Sequence, residues 1–148
     1  MNEYMKSAIE EARKAYELGE IPVGAVVVKE GEIIGRGHNL TETLKDPTAH
    51  AEMLAIREAA KTLGGWRLLD CDIYVTLEPC SMCAGALVWS RMRAIYYGAD
   101  DPKGGGCGSV FDIVRSEDLN HKLEVHSGLE AEECAKLMKD FFRELRIR

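Results

Sequence analysis

His50-Ala51-Glu52 and, thirty residues on, Pro79-Cys80-Ser81-Met82-Cys83 supply an imidazole, two thiols and a carboxylate at spacings that suit metal-assisted hydrolysis. A catalytic zinc takes three protein ligands and leaves its fourth position to water. A carboxylate beside that water can accept and return its protons. Cys80 and Cys83, three positions apart, share one helix face and can grip a single ion. His50 must then come from a neighbouring helix. Two thiolates neutralise the formal charge of Zn²⁺ and donate more charge than imidazoles do. Water is then acidified less than at a three-histidine site, and a proton acceptor is needed close by. Glu52 stands in sequence where such an acceptor is required. A closed structural site would need a fourth Cys or His. His38, His121 and His126 remain, and none has ligand-like spacing.

The elements that must position these groups follow from hydrophobic period and breakers. Residues 48–63 read as a helix with His50 in its first turn, stopped by Gly64-Gly65. Pro79 opens a second helix over residues 80–90, as proline is favoured in a first helical turn. Helix N-termini are electropositive and lower a thiol's pKa, which suits a metal-bound thiolate. Around these lie a helix over 2–18 with Asn2 as its cap, and a hairpin of strands 23–29 and 32–38 turned at Glu30-Gly31. Residues 39–47 read as a polar loop. Strands follow at 72–77 and 93–98, then a glycine-rich loop over 100–108, a short helix near 109–114, a weak strand at 123–126 and a last helix over 129–145. The order α-β-β-α-β-α-β-(α)-β-α implies an α/β protein with one sheet and helices on both faces.

At 148 residues the chain reads as a single domain with room for a proper core. No apolar run approaches a membrane span, and the N-terminus lacks the apolar region of a signal peptide, so the cytoplasm is the expected compartment. The net charge of −6 counts against a general nucleic-acid binder. Charge is uneven, however: Lys136, Lys139, Arg143, Arg146 and Arg148 face only Asp140 and Glu144 over residues 136–148, a local basic end that suits a phosphate backbone. Five cysteines without a secretory signal argue against a disulfide framework. Cys71 and Cys134 read as small buried hydrophobes. Cys107, in the glycine-rich loop, is a candidate reactive thiol with nothing beside it to lower its pKa.

The paired signature His-x-Glu and Pro-Cys-x-x-Cys is that of the zinc nucleobase deaminases. Around it run Ile21-Pro22-Val23-Gly24-Ala25-Val26, Asp46-Pro47-Thr48-Ala49-His50-Ala51-Glu52 and Tyr74-Val75-Thr76-Leu77-Glu78-Pro79-Cys80-Ser81-Met82-Cys83-Ala84-Gly85-Ala86, with Tyr97-Gly98-Ala99 and Phe141-Phe142-Arg143 later. On these runs the chain resembles the bacterial tRNA-specific adenosine deaminases of the cytidine-deaminase-like superfamily, from its first helix to its last. The resemblance implies a three-layer α/β/α fold on a central mixed five-stranded sheet, and a homodimer. It implies one zinc per subunit held by His50, Cys80 and Cys83, with Glu52 as proton shuttle. The reaction implied is hydrolytic deamination of adenosine to inosine at the wobble position of the tRNA anticodon.

Further residues take roles through the same resemblance. Asn39, whose amide both donates and accepts, faces the base, and the backbones of Ala51 and Pro79 line the pocket. Asp101 accepts a hydrogen bond from a ribose 2′-hydroxyl, the group that marks RNA, and Lys103 meets a phosphate. Phe142 offers a ring to an unstacked base or packs in the core. Arg143 and Arg146 contact the backbone of the anticodon stem-loop. Three other readings fit parts of this pattern: a deaminase of free guanine or cytosine, a non-catalytic tRNA-binding subunit, and a zinc domain that only holds the fold. The first would not need the basic end, and Glu52 weighs against the other two. The apolar helix carrying Leu87, Val88 and Trp89 serves either core or subunit interface.

Overall fold

A computed structural model describes residues 2–147, so Arg148 of the basic end lies outside the described residues. In chain order the elements are α1 (Glu3–Glu17), β1 (Gly24–Lys29), β2 (Glu32–His38), α2 (Thr41–Leu44), α3 (Ala51–Leu63), β3 (Cys71–Leu77), α4 (Ser81–Trp89), β4 (Ala94–Ala99), β5 (Glu124–His126) and α5 (Ala131–Ile147). The five strands make one sheet in the order β2-β1-β3-β4-β5. Strand β1 is antiparallel to both its neighbours, whereas β3, β4 and β5 run parallel, so the sheet is mixed.

Side-chain alternation along β1 divides the core in two. Ala25 and Val27 join Ile73, Val75 and Ile95 beneath α3 and α4. Val26 and Val28 face the other way, onto Met5, Ala8 and Ile9 of α1 and Cys134 of α5. Cys71 and Cys134 are core residues, and burial pushes Cys134 up to about 12. Asn2 caps α1 as expected, its side-chain oxygen accepting from the Tyr4 and Met5 N–H groups at 2.9 Å each. Strand β2 lies hard against α3: a Cβ on Gly37 would collide with the Ala51 carbonyl. That contact sets the end of the hairpin beside the start of the helix.

Three local expectations are corrected. Residues 39–47 are not all loop, because α2 forms within them. Its neighbour Leu40 offers no side-chain cap. The cap comes instead from Glu20, 1 % exposed, whose carboxylate accepts from the Glu42 and Thr43 N–H groups at 3.1 and 2.6 Å. Helix α3 begins at Ala51 and not at residue 48. Asp46 accepts from both the backbone N–H and the hydroxyl of Thr48, at 2.8 and 2.7 Å, and Ala49 accepts from Leu40 N–H, so residues 48–50 stay out of the helix. Residues 109–114 form turns rather than a helix. Their N–H groups go to Glu78, Gly105 and Gly106 instead of to one another.

Two of the buried carboxylates outside the metal cluster, Glu20 and Glu11, make stability depend on pH. Burial opposes their ionisation, but hydrogen bonds outweigh it and hold both below the usual range: Thr43 and Glu42 on Glu20, Lys14 and His38 on Glu11. A group whose folded pKa lies below its unfolded value stabilises fully above the unfolded value, and the gain is lost as pH falls through the folded one. Glu20→Gln should therefore lower the melting temperature by about 5 °C at neutral pH. The gap to wild type should close below about pH 4. Circular-dichroism melts across pH check this, and an equal gap at every pH contradicts it.

Candidate active site

His50 and Cys80 both occupy N-cap positions, with extended backbone at φ −76°, ψ 154° and φ −71°, ψ 177°. Each thus stands one step before its helix and not within the first turn. Cys80 is held there by an antiparallel bridge to Gly105, reinforced by the Gly106 N–H donating to the Pro79 carbonyl at 2.7 Å. Cys83 lies in the first turn of α4 and is fully buried. The electropositive ends of α3 and α4 therefore meet at one point, where thiolate charge is favoured.

The donor atoms of His50, Cys80 and Cys83 lie within 4.8 Å of one another. His50 Nδ1 is 3.5 Å from each sulfur. A tetrahedral zinc with ordinary Zn–S and Zn–N bonds separates its nitrogen and sulfur ligands by about 3.6 Å. The three donors fit that ion, and three donors leave the open position that catalysis needs. Among the described residues no other cluster of His, Cys, Asp or Glu has metal-ligand geometry. His38 instead bonds Glu11 at 2.9 Å, His121 bonds the Met92 carbonyl at 2.6 Å, and His126 stacks on Tyr96.

Electrostatics within the cluster already favours a thiolate. The hydrogen bond from the Cys83 thiol, assisted by His50, brings Cys80 down to about 4, and the same shared proton pushes Cys83 up. Glu52, 4 % exposed, is pushed up to about 7 by burial. A carboxyl balanced near neutrality is suited both to taking and to giving a proton. Cys107 is not reactive: it is 1 % exposed, and burial pushes its thiol up to about 12.

A cavity of about 670 Å³ opens over this cluster, at the carboxyl end of β3 and the amino end of β1. His50, Ala51, Glu52 and Cys80 line it, as do Asn39, Asp101, Lys103, Phe142 and Arg146. Two expected residues do not. Pro79 is absent from the lining, with its carbonyl occupied by Gly106. Arg143 turns away, 70 % exposed and donating to Asp140 at 3.0 Å, because helical spacing sends it to another face than Phe142 and Arg146. The two phenylalanines divide the roles that the sequence left open for one. Phe141 is buried in the core, while Phe142, edge-on to it, is 37 % exposed and borders the cavity.

Ile21, Val23, Thr41, Leu77, Glu78 and Met138, none of them among the expected site residues, complete the wall. Glu78 is the most consequential. It is 2 % exposed, and its carboxylate accepts from the N–H groups of Asp101 (3.0 Å), Cys107 (3.1 Å) and Ser109 (3.1 Å) and from the Ser109 hydroxyl. Burial works against its ionisation, yet the Ser109 hydroxyl and the three N–H groups hold it below the usual range. A carboxylate between a strand's end and a proline was the available signal.

The profile of the MafB19-like deaminases matches residues 1–146. A tRNA-specific adenosine deaminase of Bacillus subtilis (strain 168) is 57 % identical over 143 residues, which cover 97 % of this chain and 89 % of that protein. The chain belongs to the tRNA-specific adenosine deaminases, within the MafB19-like deaminase family. A solved structure from work on A-to-I editing by tRNA:A34 deaminases at the wobble position of transfer RNA superposes with a TM-score of 0.89 at 46 % identity, covering 93 % of this chain and 99 % of that one. A guanine deaminase from Bacillus subtilis superposes with a TM-score of 0.65 at 35 % identity, over 100 % and 96 % of the two chains. The fold thus serves more than one base, and the cavity wall must distinguish them.

Elemental analysis of the purified protein should give about one zinc per chain. Cys83→Ser should reduce this to below about a tenth, since two remaining donors cannot fix a tetrahedral ion. Full zinc content in the variant contradicts the ligand set.

Proposed function

We propose that this chain hydrolytically deaminates adenosine to inosine at the wobble position of a tRNA anticodon. The observation that carries the reading is a buried carboxylate, Glu52, on the floor of the cavity that opens over the His50-Cys80-Cys83 cluster. Bound zinc supplies a Lewis acid that makes water nucleophilic near neutral pH. Glu52 accepts a proton from the attacking water and delivers it to ring nitrogen 1. Oxygen adds at carbon 6. Glu52 then carries the second proton to the departing amine, so that water and adenosine become inosine and ammonia. The burial of Glu52 keeps bulk water from competing for these protons.

The cavity wall supports a nucleotide within a strand rather than a free base. Asn39 is 6 % exposed, and its side-chain oxygen accepts from the Thr41 N–H at 3.4 Å, which leaves the amide hydrogens to meet a purine edge. Ala51 adds backbone to the same floor. Phe142 presents an aromatic face at the mouth, where an extruded base or its neighbour stacks. Lys103 and Arg146 put positive charge on the same rim of a chain that is acidic as a whole, which suits phosphates entering there. One oxygen of Asp101 accepts from the Lys103 and Gly104 N–H groups at 3.1 and 3.2 Å. The other is left for a 2′-hydroxyl. An anticodon loop already offers bases partly unstacked, which suits an enzyme of one small fold.

No helix among the described residues is long and apolar enough to cross a membrane, and a tRNA substrate assigns the enzyme to the cytoplasm. The chain acts as a homodimer in this reading. Leu87 and Val88 are buried in the core, but Trp89 is 71 % exposed and shares a groove with half-exposed Leu119. An aromatic anchor beside an apolar neighbour is the composition of an interface centre.

Incubating an anticodon stem-loop with wild type and with Glu52→Ala, then sequencing, tests the reaction. Inosine at the wobble adenosine should form with wild type, and at least about 10²-fold more slowly with the variant at unchanged zinc content. Ammonia release from free guanine without tRNA would favour a base deaminase instead. Light scattering should give twice the chain mass for wild type and a monomer for Trp89→Glu. A dimeric variant would remove Trp89 from the interface.

A further inference from the structure

We propose that Glu78 is a positioning residue that sets the RNA-facing loop of residues 101–109 against the metal-ligand segment, and that it takes no part in proton transfer. The inference rests on the tRNA reading for its kinetic consequence but not for its structural one. A carboxylate has about four lone-pair sites. All four are filled here by one loop: Oε1 accepts from Asp101 N–H and the Ser109 hydroxyl, and Oε2 accepts from Cys107 N–H and Ser109 N–H. Nothing is left on either oxygen to exchange protons with a substrate, although the side chain borders the cavity. Glu52 has no such set of loop donors on it. The two buried glutamates of the cavity therefore have separate duties.

The loop is closed tightly around this carboxylate. A Cβ on Gly105 would collide with the carboxyl carbon, so the chain passes Glu78 where only glycine fits. Gly105 also bridges to Cys80, and Gly106 N–H donates to Pro79. Glu78 is thus the point at which the strand leading to the ligands and the loop carrying Asp101 and Lys103 are tied. The Asp101 N–H on Oε1 is the bond nearest the cavity mouth, because Asp101 and Lys103 line the cavity whereas Cys107 is buried in the core.

Geometry makes the effect of Glu78→Gln specific. Glutamine keeps one acceptor oxygen and replaces the other with an NH₂ group. If that group took the Oε2 position it would face two N–H donors, those of Cys107 and Ser109. At the Oε1 position it faces one N–H, that of Asp101, and the Ser109 hydroxyl, which can rotate to accept. The amide should adopt the second arrangement, leaving only the Asp101 N–H unpaired and loosening the loop at its mouth-facing end.

Amide hydrogen exchange on the zinc-loaded protein reads this directly. In Glu78→Gln the Asp101 amide should exchange about tenfold faster or more, while Cys107 and Ser109 stay protected. With the anticodon stem-loop, KM should rise about tenfold with kcat within about threefold, since loop placement and not chemistry is disturbed. In a Lys103→Ala background the same substitution should add little to KM. Ser109→Ala, which removes one donor from Oε1, should shift exchange and KM in the same direction by less, and it carries the test if Glu78→Gln does not fold. Unchanged exchange at Asp101, exchange raised equally across the chain, or a fall in kcat of the size seen for Glu52→Ala would overturn the proposal. If wild type leaves the stem-loop unmodified, the functional reading fails while the exchange result still decides the clamp.

Discussion

Everything at the site depends on bringing two helix N-termini to one point. Helices α3 and α4 follow different strands, and their first residues would repel if each kept its partial positive charge exposed. Thiolates and a carboxylate resolve this by placing negative charge between them. His50 and Cys80, each a step outside its helix, point donors into the gap while the helical N–H groups behind them remain directed at it. The sheet makes the meeting possible: β1 runs against β3, so the end of one strand, the start of the other and the exit of the hairpin share one edge of the molecule. An ion held there joins the two halves of the fold as well as serving the chemistry.

Loops around such a point carry many N–H groups with no partner in a strand or helix, and burying them unpaired is costly. Buried carboxylates solve the problem twice. Glu20 collects the start of α2 on one side of the cavity, and Glu78 collects residues 101–109 on the other. Among the described residues no buried side-chain nitrogen or oxygen is left without a partner. Each carboxylate is far in sequence from the segment it holds, so irregular backbone is fixed by tertiary contacts and not by local propensity.

That distance explains what the sequence made legible. The hairpin, the principal helices and the parallel strands follow from period and breakers, and the metal ligands follow from spacing, because these signals are local. Helix α2 was missed because its cap lies some twenty residues upstream, and the helix expected at 109–114 did not form because its first N–H was claimed by a residue some thirty positions earlier and the following ones by Gly105 and Gly106. The start of α3 was placed too early because the Asp46–Thr48 turn competes with helical pairing. Phe142 and Arg146 against Arg143 was a question of helix rotation, which depends on what the neighbouring face packs against. Glu78 stood beside the ligands in plain view, but four donors converging on it are visible only when the chain has folded back.

The cavity draws Ile21 from near the first helix and Phe142 from the last, while the ligands span only residues 50–83. On a ribosome the two parts cannot appear together. The donors of the middle emerge first, and the wall that receives the substrate waits for α5 to dock across α1 and the sheet. A nascent chain thus holds all of the ion's donors well before it holds the whole of the substrate wall.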